Sequence, residues 1–236
     1  MTHSTIIMVA VATAAFFAYK CKKVTLSGAL AGAFAAYLIY LGGGDIALVS
    51  FSVFFILGTM ASSWKKSKKQ SLKVAQENDG QRGVANVFAN VGVAVLLAIV
   101  GMFMSIAPPF LSTLMLAVFA TACSDTLSSE LGTVYGKRFF SVIDFKPQRA
   151  GKDGAISLAG LFFGLMGSLA IAAVALVYGL EYSIFVVIVV SGLLGNILDS
   201  VFGATLQNRG LINNHQVNFL ATGAGALVCW LMLLFL

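Results

Sequence analysis

Charge is what this sequence has least of. Asp, Glu, Lys and Arg make up 10% of the 236 residues, hydrophobic residues make up 59%, and the mean hydropathy is +0.93. So little polar surface excludes a soluble globular domain and points to an integral membrane protein. The three cysteines, Cys21, Cys123 and Cys229, lie far apart with no CxxC pair. That excludes a disulfide framework and a zinc site, and leaves core filling as their role. There are two histidines, His3 near the terminus and His215 alone in a polar stretch; neither is placed as a ligand or a catalytic base. Proline is nearly as scarce, and two of the three residues fall in "APP" at 107–109, which reads as a tight turn. No extramembrane stretch exceeds about thirty residues, too few to bury a core of its own. Residues 1–236 are therefore read as one membrane domain.

Long apolar runs are what the chain does have. Eight are long enough, or nearly so, to cross a hydrocarbon core of about 30 Å: 4–19, 26–43, 46–63, 84–104, 108–122, 154–178, 183–198 and 217–236. The expected fold is all-α and polytopic, with about eight transmembrane helices. The first run has no basic residue ahead of it and is followed by "KCKK", the reverse of a secretory signal's charge order. It reads as a retained helix whose N-terminus faces outward. With eight spans, one set of loops comprises 20–25, 64–83, 123–153 and 199–216, and these hold all 15 Lys and Arg. The positive-inside rule makes them cytoplasmic. The opposite loops, including "GGGD" and "GLEY", contribute only Asp45 and Glu181. Topology accounts for the net charge of +6, and no nucleic acid is needed. Small-residue stretches such as "GALAGAFAAY" are expected to let helices approach closely.

Polar side chains at membrane depth are costly, about 2.5–3.5 kcal/mol per charge on the lenient insertion scale, and tend to be functional. Five clusters stand out: "NDGQRGVANVFAN" (78–90), "CSDTLSSELG" (123–132), "QRAGKDGAISLAG" (148–160), "GNILDSVFGATLQNRG" (195–210) and "NNHQVN" (213–218). All lie at the cytoplasmic ends of the predicted spans, whereas a transporter would hold such groups near the midplane. Asp125, Glu130 and Asp199 are hard oxygen donors, suited to Mg²⁺ shared with substrate phosphates. Arg82, Arg149 and Lys152 are natural phosphate partners. The turn through Gly151 and Gly154, expected to open a helix, would offer backbone N–H groups to an anion. Asn86, Asn90, Asn196, Ser200, Gln207, Asn214 and Asn218 complete a phosphate-plus-magnesium set. Simpler readings stand beside it: Asp125 and Asp199 as helix caps, Asn86 and Asn90 as interhelical glue, Glu130 as a solvated loop residue, and "WKKSKKQSLK" (64–73) as a topology anchor that favours anionic lipid.

The blocks "SDTLSSELG", "AGKDGAISLAG", "GLLGNILDSVFGATLQ" and "NNHQVNFLAT" resemble the signature blocks of the phytyl-phosphate kinase family, integral-membrane proteins of plastid tocopherol synthesis with bacterial, archaeal and animal relatives. The resemblance runs from about residue 80 to 225, and "DSVFGATLQ" is its most specific part. The chain departs from the family in carrying Asn86 where Gln is frequent, and Lys152 and Asp153 where a Thr-containing turn is frequent. The resemblance implies a Mg²⁺-dependent kinase that moves a phosphoryl group from a nucleoside triphosphate, CTP or ATP, to an isoprenyl monophosphate lipid. It also implies a bacterial or archaeal inner (plasma) membrane with the site on the cytoplasmic side. A transporter of an ion or small anion is the alternative that would use the same carboxylates and Asn residues.

Overall fold

A computed structural model describes residues 2–71, 81–104 and 107–236. Lys73 of the lysine-rich run and Asn78, Asp79 and Gly80 of the first polar cluster lie outside the described residues. The helices are α1 (His3–Lys20), α2 (Leu26–Ser63), α3 (Lys66–Ser71), α4 (Val84–Phe103), α5 (Pro108–Tyr135), α6 (Leu158–Val177), α7 (Tyr182–Phe202) and α8 (Asn214–Leu233). All but the six-residue α3 are long and apolar enough to span a bilayer. The fold is that of an all-α integral membrane protein.

One of those seven is two crossings. A straight helix of 38 residues would run about 57 Å at 1.5 Å per residue, nearly twice the hydrocarbon thickness of about 30 Å. Gly44 breaks it, at φ 70 and ψ −166, a left-handed conformation that costs glycine little and other residues much. The chain then returns beside itself: Lys23 Nζ donates to Ser63 Oγ at 2.9 Å, and Gly28 and Gly58 both abut Arg82. The arms, 26–43 and 45–63, match the second and third predicted runs almost residue for residue. Asp45 at the bend meets His3 at 3.3 Å, so α1 lies antiparallel to the first arm.

Helix α5 forms the axis of the bundle. Every residue from Leu111 to Ser124 is buried, with α2, α4, α6, α7 and α8 packed around it. Pro108 and Pro109 occupy its first turn, where a missing N–H costs nothing. Glycines at helical spacing allow the closest approaches. A Cβ on Gly160, Gly164 or Gly167 of α6 would fall within 2.7–3.1 Å of α5 or α7 atoms, so this stripe packs backbone against backbone.

Two expectations are corrected. The fifth span does not end at residue 122: α5 continues through the whole "CSDTLSSELG" motif to Tyr135, because its carboxylates and all its hydroxyls but that of the exposed Ser129 are turned toward the bundle. The segment after it is not all coil. Strands β1 (Phe139–Ser141), β2 (Pro147–Gln148) and β3 (Ala155–Ile156) form a small antiparallel sheet in the order β2-β1-β3.

The cysteines offer a test of orientation, since Cys21 is exposed beside Lys20, Lys22 and Lys23 while Cys123 and Cys229 are buried. A membrane-impermeant maleimide is expected to label the protein in inside-out vesicles and not in intact cells. Labelling from the outside would reverse the topology.

Candidate active site

Asp125 sits on α5 and Asp199 on α7, both well inside their helices. The capping role is therefore excluded. Their side chains meet in hydrogen-bond contact, although 74 positions separate them. Two carboxylates that close cannot both stay ionised without a proton or a cation between them. Asn218 on α8 joins the pair. With its amide turned to satisfy both neighbours, its nitrogen donates to Asp199 Oδ2 at 3.3 Å and to the Asn214 carbonyl at 3.0 Å. Three helices thus converge on one acidic point, and glycines Gly192 and Gly195 of α7 and Gly225 of α8 allow both helices to pack closely on α5.

Asp199 is followed by a wider turn. Residues Gly203–Gln207 form a π-helical turn, a geometry that recurs at functional sites. It carries Gln207 at its end, while Ser200 lies one residue beyond Asp199. The "GKDG" turn packs directly on it: a Cβ on Gly154, whose φ is +75, would fall 2.4 Å from the Ala204 Cβ. Asn208 Nδ2 donates to the Asp153 carbonyl at 3.4 Å. The turn therefore lies over the end of α7, close enough for Asp153 to act electrostatically on Asp199. Arg149 and Lys152 are exposed on this turn. It does not open a helix, however. Strand β3 intervenes, and α6 begins only at Leu158 with Ser157 accepting from the Gly160 N–H as its own cap.

Glu130 is also placed differently from the expectation. It is buried and paired with Lys69. Lys69 Nζ also donates to the carbonyls of Ala61 (3.0 Å) and Ser62 (2.7 Å) at the end of α2. The loop-residue reading of Glu130 fails because α5 carries it into the interior. Its carboxylate is committed to a lysine, and among the described residues no three His, Cys, Asp or Glu side chains are grouped to hold a metal ion. The acidic centre is a pair, Asp125 and Asp199. Trp64 and the lysines after it do more than anchor: Trp64 Nε1 donates to the Tyr135 hydroxyl at 2.9 Å, Lys68 Nζ to the Val134 carbonyl at 2.7 Å, and Lys65 lies over the Tyr135 ring. They tie α2 to the end of α5. Nothing in the sequence marks Lys69 apart from its neighbours.

Asn196 is buried on α7, close to Ser124 and Gly164. Arg82, Asn86 and Asn90 lie on a different wall. Arg82 is held by backbone pairing with Lys23 and Thr25 (3.1 and 3.2 Å), and its guanidinium lies 5.4 Å from the centre of the Phe54 ring. Asn90 Nδ2 donates to the Asn86 carbonyl one turn back at 2.9 Å, so the two are linked along α4 and are not interhelical glue. All three line an apolar cavity of about 270 Å³ between α1, both arms of α2 and α4. Arg82 remains within electrostatic reach of Glu130 and Cys123, which places the Arg82 end of this cavity beside the α5 motif.

Fold and site together define a polytopic α-helical membrane protein with a carboxylate pair and amides gathered at the basic end of its bundle. The family described as Integral membrane protein DUF92 matches residues 9–226, and the chain belongs to it. Among its relatives, an uncharacterised membrane protein of Methanocaldococcus jannaschii is 31% identical over 81% of this chain and 77% of its own. An uncharacterised membrane protein of Synechocystis is 33% identical over 74% of this chain and 69% of its own. The chloroplastic protein VTE6 of Arabidopsis thaliana is 29% identical over 87% of this chain and 64% of its own length. No solved structure matches the chain.

Proposed function

We propose that the protein transfers the terminal phosphoryl group of a nucleoside triphosphate, CTP or ATP, to an isoprenyl monophosphate lipid, yielding the lipid diphosphate and a nucleoside diphosphate. The observation that carries this reading is the contact between Asp125 and Asp199 at the basic end of a membrane bundle. The similarity to VTE6 and the motif blocks shared with phytyl-phosphate kinases support it. Nothing comparable favours a transporter.

Mg²⁺ is usually held by one or two carboxylates together with substrate phosphates, and a buried carboxylate pair that needs a cation fits that pattern. Asp125 and Asp199 would hold the ion, which would neutralise charge where the phosphates meet. Asn218 fixes the orientation of Asp199. Arg149 and Lys152, free to swing on the turn above α7, bind the donor phosphates. The acceptor monoester has a second pKa near about 6, so it reaches the site mostly as the dianion and needs no base. One of its oxygens forms a bond to the terminal phosphorus while the bridging P–O bond to the next phosphate breaks, its electron pair leaving with the nucleoside diphosphate. The site faces the cytoplasm, where nucleotide and Mg²⁺ are supplied.

The acceptor's chemical form tests the reading. For a single chain length in one detergent, kcat/KM with labelled CTP and with labelled ATP is expected to be at least 10²-fold higher for the monophosphate than for the free alcohol. The alcohol, with a pKa near about 16, would need the general base worth about 10²–10⁴-fold that the site does not offer. Equal or better use of the alcohol would make one of the aspartates a base.

A further inference from the structure

The cavity beside Arg82 is built for one kind of molecule. Its walls are apolar side chains of α1, both arms of α2 and α4. Its polar groups are Arg82, Asn86 and Asn90, from the residues just before α4 and its first half, at the end of the bundle that carries the lysines, and Ser52 of the second arm, whose hydroxyl donates to the Leu48 carbonyl. Along the first arm it extends from Gly28 to Ala36, eight residues or about 12 Å of depth at 1.5 Å per residue. Among the described residues no carboxylate comes within ion-pair distance of the Arg82 guanidinium. A cation held this way, over an aromatic ring and at the mouth of an apolar slot, is complementary to an anionic head with a single hydrocarbon tail.

We propose that this cavity receives the hydrocarbon chain of the acceptor, with its phosphate on Arg82, and that the α2 wall sets the accepted chain length. The identity of the occupant and the length control rest on the kinase reading above; the place does not. The electrostatic reach of Arg82 to Glu130 and Cys123 of α5 puts the bound phosphate at the same end of that helix as Asp125. The glycines of the first arm show where length is set. A Cβ on Gly28 would strike the Arg82 carbonyl oxygen at 2.3 Å, so Gly28 is required for the backbone contact at the mouth. Gly32, one turn deeper, has nothing within 4 Å of its would-be Cβ although it lines the same cavity. A side chain there enters the empty slot and not the protein's packing. A tail that stops above Gly32 is unaffected by such a side chain, while a longer one collides with it.

The experiment uses the full chain purified in detergent, the graded series Gly32→Ala, Gly32→Leu and Gly32→Phe, and prenyl monophosphates of increasing length. The ratio of kcat/KM for long over short acceptors is expected to fall with side-chain volume, by at least ten-fold in Gly32→Phe. A ratio that stays constant through Gly32→Leu and Gly32→Phe would overturn the length control. In parallel, a prenyl monophosphate carrying a diazirine in its tail is photolysed on the wild-type protein. Cross-links are expected on α1, α2 and α4, with unlabelled prenyl monophosphate competing and a two-chain phospholipid not competing. Cross-links elsewhere, or competition by the phospholipid alone, would overturn the assignment and make the cavity a seat for bulk lipid. Because the cross-link needs no turnover, a protein that binds the probe here but phosphorylates no acceptor would sink the kinase reading and leave the binding site standing.

Discussion

Asp125→Asn and Asp199→Asn are each expected to lower turnover on the order of 10³-fold, the scale seen when a preorganised charge that stabilises a transferring phosphoryl group is removed. The reason lies in the contact between the two carboxyls. Each isosteric amide keeps the shape of the site but removes half of the negative charge that attracts a divalent cation. Stability is expected to move the other way. Two buried carboxylates in contact repel each other, so replacing one by an amide should leave the thermal midpoint unchanged or raise it. Activity and melting temperature measured on the same preparations separate a site from a structural role. A variant that keeps near-normal turnover at low Mg²⁺ would show that its aspartate is no part of the site; one that loses activity only because it unfolds would show a structural role. Asn218→Ala should have a smaller effect, about 10–100-fold, as befits a residue that orients another.

Lys69→Met is expected to be the most destabilising single change considered. It strips the buried Glu130 of the Lys69 ammonium and takes a donor from the Ser62 and Ala61 carbonyls, the second of which keeps the Trp64 N–H. Breaking a buried pair from one side costs about 3–5 kcal/mol, which in a chain of this size corresponds to a fall in melting temperature on the order of 10 °C. The double variant Lys69→Met with Glu130→Met should recover part of the loss, since the buried carboxylate that loses the Lys69 ammonium is removed with it. Glu130→Gln should weaken the fold yet retain more turnover per folded molecule than either aspartate variant. Unchanged melting in Lys69→Met would mean that the pair contributes nothing to the fold. A Glu130→Gln protein of normal stability and 10³-fold lower turnover would return Glu130 to the metal site.

The Glu130 result bears on how far the sequence could be read. Hydropathy alone located the spans, including the two arms of α2, because "GGGD" interrupts an otherwise unbroken apolar run and Gly44 supplies the one backbone conformation that lets the chain double back. Hydropathy also misplaced the end of α5. Ser124, Asp125, Ser128 and Glu130 look like loop residues when counted singly, and their helical state depends on the groups that face them. Asp125 and Asp199 were marked by residue type and depth, and so was Asn218 in the motif after α7. Their contact was not marked, because nothing in either motif states that α5 and α7 lie side by side.

Composition, apolar run length and basic-residue bias determined by themselves that this is a polytopic helical membrane protein with its polar residues at one end. Those properties are sums over segments, and a bilayer acts on segments. Which polar residues meet was decided only by tertiary structure. The contacts of Lys69 with Glu130 across 61 positions and of Asp125 with Asp199 across 74, and the open space in front of Gly32, are consequences of how glycine-lined helices pack. A pairwise contact depends on the positions of both partners, and a local pattern carries the position of neither.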